Sequence, residues 1–140
     1  MDSRPELGTV FDEIAIMVRR LSTAGQLNMT AAAVLARLRR KGPQRLTELA
    51  ICEGVSQPGM TQLVTRLERE GLARRTPDAS DRRVVLVEAT PEGLDLVERR
   101  RAERAAALHE LVGALSPADR AAIDAALPAL TRLVEIHRES

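Results

Sequence analysis

Tryptophan and tyrosine are absent from this chain, and Phe11 is the only aromatic side chain among 140 residues. Any core must therefore be assembled from Leu, Val, Ile, Ala and Met, within an apolar fraction of 44%. The same scarcity removes the usual platforms on which single-stranded bases stack, so a single-strand binder is not expected. Cys52 is the only cysteine, so there is no internal disulfide, and neither His109 nor His137 stands at zinc-site spacing from it. No Ser-His-Asp order, phosphate loop or cluster of paired carboxylates can be assembled, so the chain does not read as an enzyme and no cofactor or metal is expected. Long apolar runs are missing too, and "MDSRPELGTV" has no basic-then-apolar leader pattern. The expectation is a cytoplasmic protein without membrane contact.

Lysine is nearly absent: Lys41 is the only one among 21 basic residues, and the rest are arginines. Twenty acidic residues leave a formal net charge of +1. Net charge therefore does not announce nucleic acid, and any such role must come from where the arginines sit. Arginine enrichment fits genomic composition as well as it fits phosphate binding.

What is present is mainly helical periodicity. In residues 6–25, Leu7, Val10, Phe11, Ile14, Met17, Val18 and Leu21 recur at three- and four-residue steps, giving an amphipathic helix with a wide apolar stripe. A second helix is expected from Thr30 as cap through "AAAVLARLRRKG". Pro43 opens a third unit, "PQRLTELAICEGVS", in which Leu46, Leu49, Ala50 and Cys52 are expected near Val55, with Cys52 a small buried thiol. The helix "SQPGMTQLVTRLEREG" follows. Thr90 caps a long helix, and Ser116-Pro117 with Asp119 starts the last one as a capping-box variant. Pro128 interrupts that last helix with a kink or divides it into two.

Between these helices stands "TPDASDRRVVLVEATPEG". A strand-like stretch, 72–76, a polar loop tipped by Asp81, Arg82 and Arg83, and a second strand-like run, 84–89, make a hairpin directly after a helix-turn-helix at 43–71. In its second helix Met60, Leu63, Val64 and Leu67 occupy one face, leaving Gln57, Thr61, Gln62, Thr65, Arg66 and Arg69 outside. Gln suits adenine, Thr the thymine methyl, and Arg guanine or phosphate. An arginine-tipped wing suits a narrow minor groove. The fold class expected is mainly α with a small β-hairpin, a winged helix-turn-helix with flanking helices.

The run "LTELAICEGVSQPGMTQLVTRLEREGLARRTPDASDRRVVLVEATPEG" resembles the multiple-antibiotic-resistance-regulator (MarR) family of bacterial transcription factors. The resemblance implies one MarR-like domain over 1–140, with a DNA-binding lobe at 30–90 and dimerisation helices in 6–25 and 91–140. It implies a homodimer that binds a double-stranded palindromic operator, most often as a repressor, with a small lipophilic or anionic effector. Carried onto these residues, Arg83 is the minor-groove arginine, Asp81 its brace, and Arg82 a tip residue near phosphate. Ser56, Gln57, Thr61, Gln62, Thr65, Arg66 and Arg74 complete the expected DNA-binding set. Arg74 and Arg75 read equally well as phosphate contacts or as solvated side chains. Pro58, Gly59 and Gln62 depart from the family pattern, so an unusual operator preference is expected. Residues 43–83 carry seven arginines against six acids, which requires acids and arginines to segregate onto different faces. The rival reading is a winged-helix protein–protein module without DNA binding.

Overall fold

A computed structural model describes residues 4–21 and 27–140. The last part of the helix expected at 6–25, including Gly25, lies outside the described residues. The elements run α1 (Arg4–Arg20), α2 (Met29–Lys41), β1 (Gln44–Arg45), α3 (Leu46–Glu53), α4 (Gln57–Arg69), β2 (Ala73–Pro77), β3 (Val85–Ala89), α5 (Pro91–Gly113) and α6 (Pro117–Glu139). Mainly helical with a small antiparallel sheet, this is the expected fold class. The strand β1 was not expected: two residues carry no alternation signal, and it is visible only because Gln44 and Arg45 pair with Val87 and Leu86. The hairpin thereby becomes a three-stranded sheet in the order β1-β3-β2.

The described residues fall into two compact units, one of residues 4–21 with 104–140, the other of residues 27–103. The second unit has a closed core. Val34, Leu35 and Leu38 of α2 join Leu49 and Ala50 of α3, Met60, Val64 and Leu67 of α4, and Ala73 and Val87 of the sheet. The periodicity of α4 predicted its buried face, and Leu63 packs against the same core. In the unit of α1, α6 and the later turns of α5 the burial differs sharply. No residue of α6 is buried, and Leu7, Leu133 and Ile136 are 57%, 54% and 63% exposed.

Local chemistry explains most boundaries. The cap of α2 is Asn28, not Thr30: its Oδ1 accepts from the Ala31 amide at 2.7 Å, so the helix starts two residues earlier and Thr30 falls inside its first turn. Gly54 adopts the left-handed conformation (φ 63°, ψ 34°) that ends α3 and turns the chain into α4. Ser56 then caps α4 by accepting from the Gly59 amide at 3.1 Å, with Pro58 in the first turn where its missing N–H is harmless. Ser116 accepts from the Asp119 amide at 3.1 Å, as its spacing predicted. Helix α6 runs unbroken through Pro128, so the two-helix alternative does not apply.

The two motifs "EGL" and "TPEG" lock together. Thr90 donates its hydroxyl to the Gly71 carbonyl at 2.6 Å and its amide to the Leu72 carbonyl at 3.1 Å, and its Oγ1 accepts from the Gly93 amide at 3.1 Å. A Cβ on Gly93 would overlap the Leu72 carbonyl oxygen, so only glycine permits this approach of α5 to the end of α4.

Candidate nucleic-acid interface

Helices α3 and α4 with the Gly54 turn form the helix-turn-helix, and β2, the 78–84 loop and β3 form the wing. On α4, Gln57, Thr61, Gln62, Arg66 and Arg69 are exposed. Arg66 shares its charge with Glu70 one turn on, at 3.3 Å. Ser56 is exposed, with its oxygen engaged as the α4 cap.

Thr65 departs from the outward set. It is half-buried, its hydroxyl donates to the Thr61 carbonyl at 2.8 Å, and its oxygen accepts from Arg75 Nη2 at 3.1 Å. Arg75 is the cause. Strand alternation turns it to the same side of β2 as buried Ala73, opposite Val87, and so toward α4. There its guanidinium pairs with Glu68 and donates to the Thr61 carbonyl at 3.3 Å. Arg74 faces the other side and pairs with Glu88, its direct cross-strand neighbour. Neither arginine is simply solvated, and both have their charge matched by a protein carboxylate.

The wing is ordered by two aspartates. Asp78 Oδ1 accepts from the Ser80 amide at 2.9 Å and the Ser80 hydroxyl at 2.8 Å, while the Asp78 amide donates to the Val84 carbonyl at 2.9 Å. Asp81 Oδ1 accepts from the Arg83 amide at 3.0 Å and from Arg83 Nε at 3.2 Å, and Oδ2 accepts from Nη2 at 3.4 Å. Arg83 is nonetheless 91% exposed. The Arg83 side chain first, and then its amide, hold Asp81 below its ordinary value of 3.8; the Ser80 amide and hydroxyl do the same for Asp78. Arg82 stands exposed at the tip.

Sequence reasoning passed over Arg45. It lies on β1, and its positive charge favours the ionised forms of both Asp78 and Asp81, which places it at the edge of the wing. The only signal that could have found it is the β1 pairing, which the sequence does not show. The expected segregation of acids from arginines is not what occurs. Arg66, Arg74, Arg75 and Arg83 are each paired with a carboxylate, while Arg45, Arg69 and Arg82 are in none of these pairs.

Other expectations change as well. Cys52 is exposed rather than buried. At 3.6 residues per turn, Leu49 and Ala50 set the inward direction of α3, and Cys52 falls about a third of a turn outside it. Glu98 of α5 pairs with Arg39 of α2, a contact not expected from the sequence. Among the described residues there is no group of three or more metal-ligating side chains, and no helix long and apolar enough to cross a membrane.

Comparison with known proteins agrees with this geometry. The MarR family model matches residues 27–85. The HTH-type transcriptional repressor NicR of Pseudomonas putida is 36% identical over 73 residues, which is 52% of this chain and 46% of that protein. The transcriptional regulator Tm0710 of Thermotoga maritima superposes with a TM-score of 0.79 at 25% identity, covering 98% of this chain and 99% of the other. BpsR of Bordetella bronchiseptica, whose DNA binding is regulated by 6-hydroxynicotinic acid, superposes with a TM-score of 0.60 at 25% identity over 94% of this chain and 96% of its own. NicR and Tm0710 are transcriptional regulators by name.

Proposed function

We propose that this chain, whose residues 27–85 match the MarR family model, is a DNA-binding transcriptional regulator that acts as a homodimeric, sequence-specific repressor in the cytoplasm. The observation that carries this reading is the braced wing: Arg83 is almost fully exposed, yet Asp81 fixes its guanidinium through two side-chain contacts. An exposed arginine held this way is pre-ordered for a narrow minor groove, where its charge is worth most. Gln57, Thr61, Gln62 and Arg66 supply base and phosphate contacts from α4, Ser56 and Arg82 phosphate contacts, and Thr65 its methyl group. Arg74 adds positive charge beside the wing in partnership with Glu88.

The lobe is assigned to residues 30–90 and dimerisation to helices in 6–25 and 91–140. Support for the dimer comes from the exposed apolar side chains that line α1 and α6, among them Leu7, Val10, Leu127, Leu133 and Ile136, since contiguous exposed apolar surface marks an association site. Twofold symmetry then sets two recognition helices about 34–36 Å apart, on a palindrome. Repression follows NicR, and control by a small lipophilic or anionic effector follows BpsR.

Pairing of four wing and recognition-helix arginines with acids favours the rival, a protein–protein module, because it lowers the charge available to phosphates. Fluorescence anisotropy on duplexes from the chain's own upstream region separates the two. Wild type and Arg83→Ala are titrated with random-duplex competitor at two salt concentrations. Tight, competitor-resistant binding that the substitution weakens by about tenfold supports the regulator. Binding no better than random duplex at low salt, with candidate effectors tried, hands the function to the module.

A further inference from the structure

The contacts of Arg75 go beyond what a solvated or phosphate-bound arginine makes. Its guanidinium reaches three acceptors on one flank of α4: the Glu68 carboxylate, Thr65 Oγ1 at 3.1 Å and the Thr61 carbonyl at 3.3 Å. The Arg75 amide also donates to Glu68 Oε2 at 3.4 Å. Both charged side chains are 31% exposed, so this pair is screened less than a surface pair. A planar fork with several fixed donors spans such a set of acceptors, and a lysine amine does not.

We propose that Arg75 is a positioning residue for DNA recognition: it pins α4 to strand β2, so that the recognition helix and the wing meet DNA in fixed register. The inference rests on the DNA-binding reading above. Because Arg75 is spent on Glu68, it makes no phosphate contact. Because Thr65 gives its only proton to Thr61 and one lone pair to Arg75, it has no donor left for a base. Its methyl group remains, and that group selects for thymine. Arg75 therefore affects sequence discrimination and leaves bulk electrostatic attraction alone.

The test compares wild type, Arg75→Ala, Arg75→Lys and Glu68→Gln on two duplexes, one selected by the wild type from a random pool and one a scramble of it. Affinities are read by anisotropy over a series of salt concentrations, with circular dichroism and melting to confirm that each variant is folded. Arg75→Ala is expected to weaken binding to the selected duplex by about tenfold, the size of one lost specific contact, with little change on the scramble and no change in salt slope. Arg75→Lys keeps the charge and loses the fork, so it stays close to the alanine variant. Glu68→Gln gives the sharpest sign. It removes a negative charge, so simple attraction predicts tighter binding to both duplexes, whereas loss of register weakens the selected duplex alone.

Three results overturn the role. One is uniform weakening by Arg75→Ala, rescued by lysine, with the salt slope reduced by about one, which makes Arg75 a phosphate contact. Another is tighter binding of both duplexes by Glu68→Gln. The third is wild-type discrimination in every folded variant. If Arg75→Ala does not fold, Glu68→Gln and Arg75→Lys still decide. A wild type that selects no duplex from the pool removes the DNA-binding reading first and this role with it, and that failure is visible before any variant is made.

Discussion

The two units of this molecule spend their apolar side chains in opposite ways. The unit of residues 27–103 closes a core in which Val34, Leu35, Leu49, Met60, Val64 and Val87 have no exposed surface at all. In the unit built from α1, α6 and the later turns of α5, leucines and isoleucines of the same size stay more than a third exposed. Composition does not separate them, since α6 also carries apolar residues at helical spacing, Ile123, Leu127, Leu130 and Val134 among them. The difference is what each stripe faces. A stripe with neighbours in its own chain becomes core, and one without becomes a surface whose burial needs a second molecule.

Leu35→Ala is the strongest way to sharpen that contrast. It deletes a fully buried side chain and should destabilise the winged unit by about 3 kcal/mol, within the range of 2–5 for such cavities. Denaturant unfolding measures it, and the loss should be independent of protein concentration. Gly93→Ala comes next. Its new methyl meets the Leu72 carbonyl, so the junction of α4 with α5 must shift, at about 2 kcal/mol, typical of overpacking. The same unfolding titration reads it, and an unchanged midpoint would show that the α5 junction yields freely.

Leu133→Ala breaks or confirms the contrast from the other side. As a half-exposed residue of α6 it should alter protomer unfolding by less than about 1 kcal/mol, and it should weaken self-association in sedimentation velocity. A concentration-independent loss as large as that of Leu35→Ala would mean that α6 is covered within its own chain, and the contrast would collapse.

The smallest effect is electrostatic. Because Asp81 titrates below its ordinary value, its hold on Arg83 is present above that value and is lost as the pH falls through the depressed one. Carboxyl NMR should place Asp81 and Asp78 below 3.8 in the wild type. Arg83→Ala should return Asp81 toward 3.8 and leave Asp78 low, since the Ser80 amide and hydroxyl hold it.

Much of this was legible in the sequence because local signals are strong. The period of Met60, Leu63, Val64 and Leu67 gave the inner face of α4, and the polar tip followed by a β-branched run gave the wing. The spacing of Ser116 and Asp119 gave the start of α6. What stayed hidden was set by partners distant along the chain. β1 exists only as the neighbour of β3. Thr65 turns inward because Arg75 reaches it from another element. Helix α3 spans eight residues, too few turns for a period to say which side Cys52 takes. The cap at Asn28 was missed because two residues of similar chemistry, Asn28 and Thr30, stood within reach of the same helix start.

Exposure of Cys52 has a practical consequence. A single thiol, accessible on a helix of the winged unit, accepts one spin label per protomer without any further substitution. In a twofold assembly two such labels define a single distance, a ruler between lobes. Recording that distance for the free protein, with a duplex and with a candidate effector turns an incidental side chain into a direct gauge of lobe spacing.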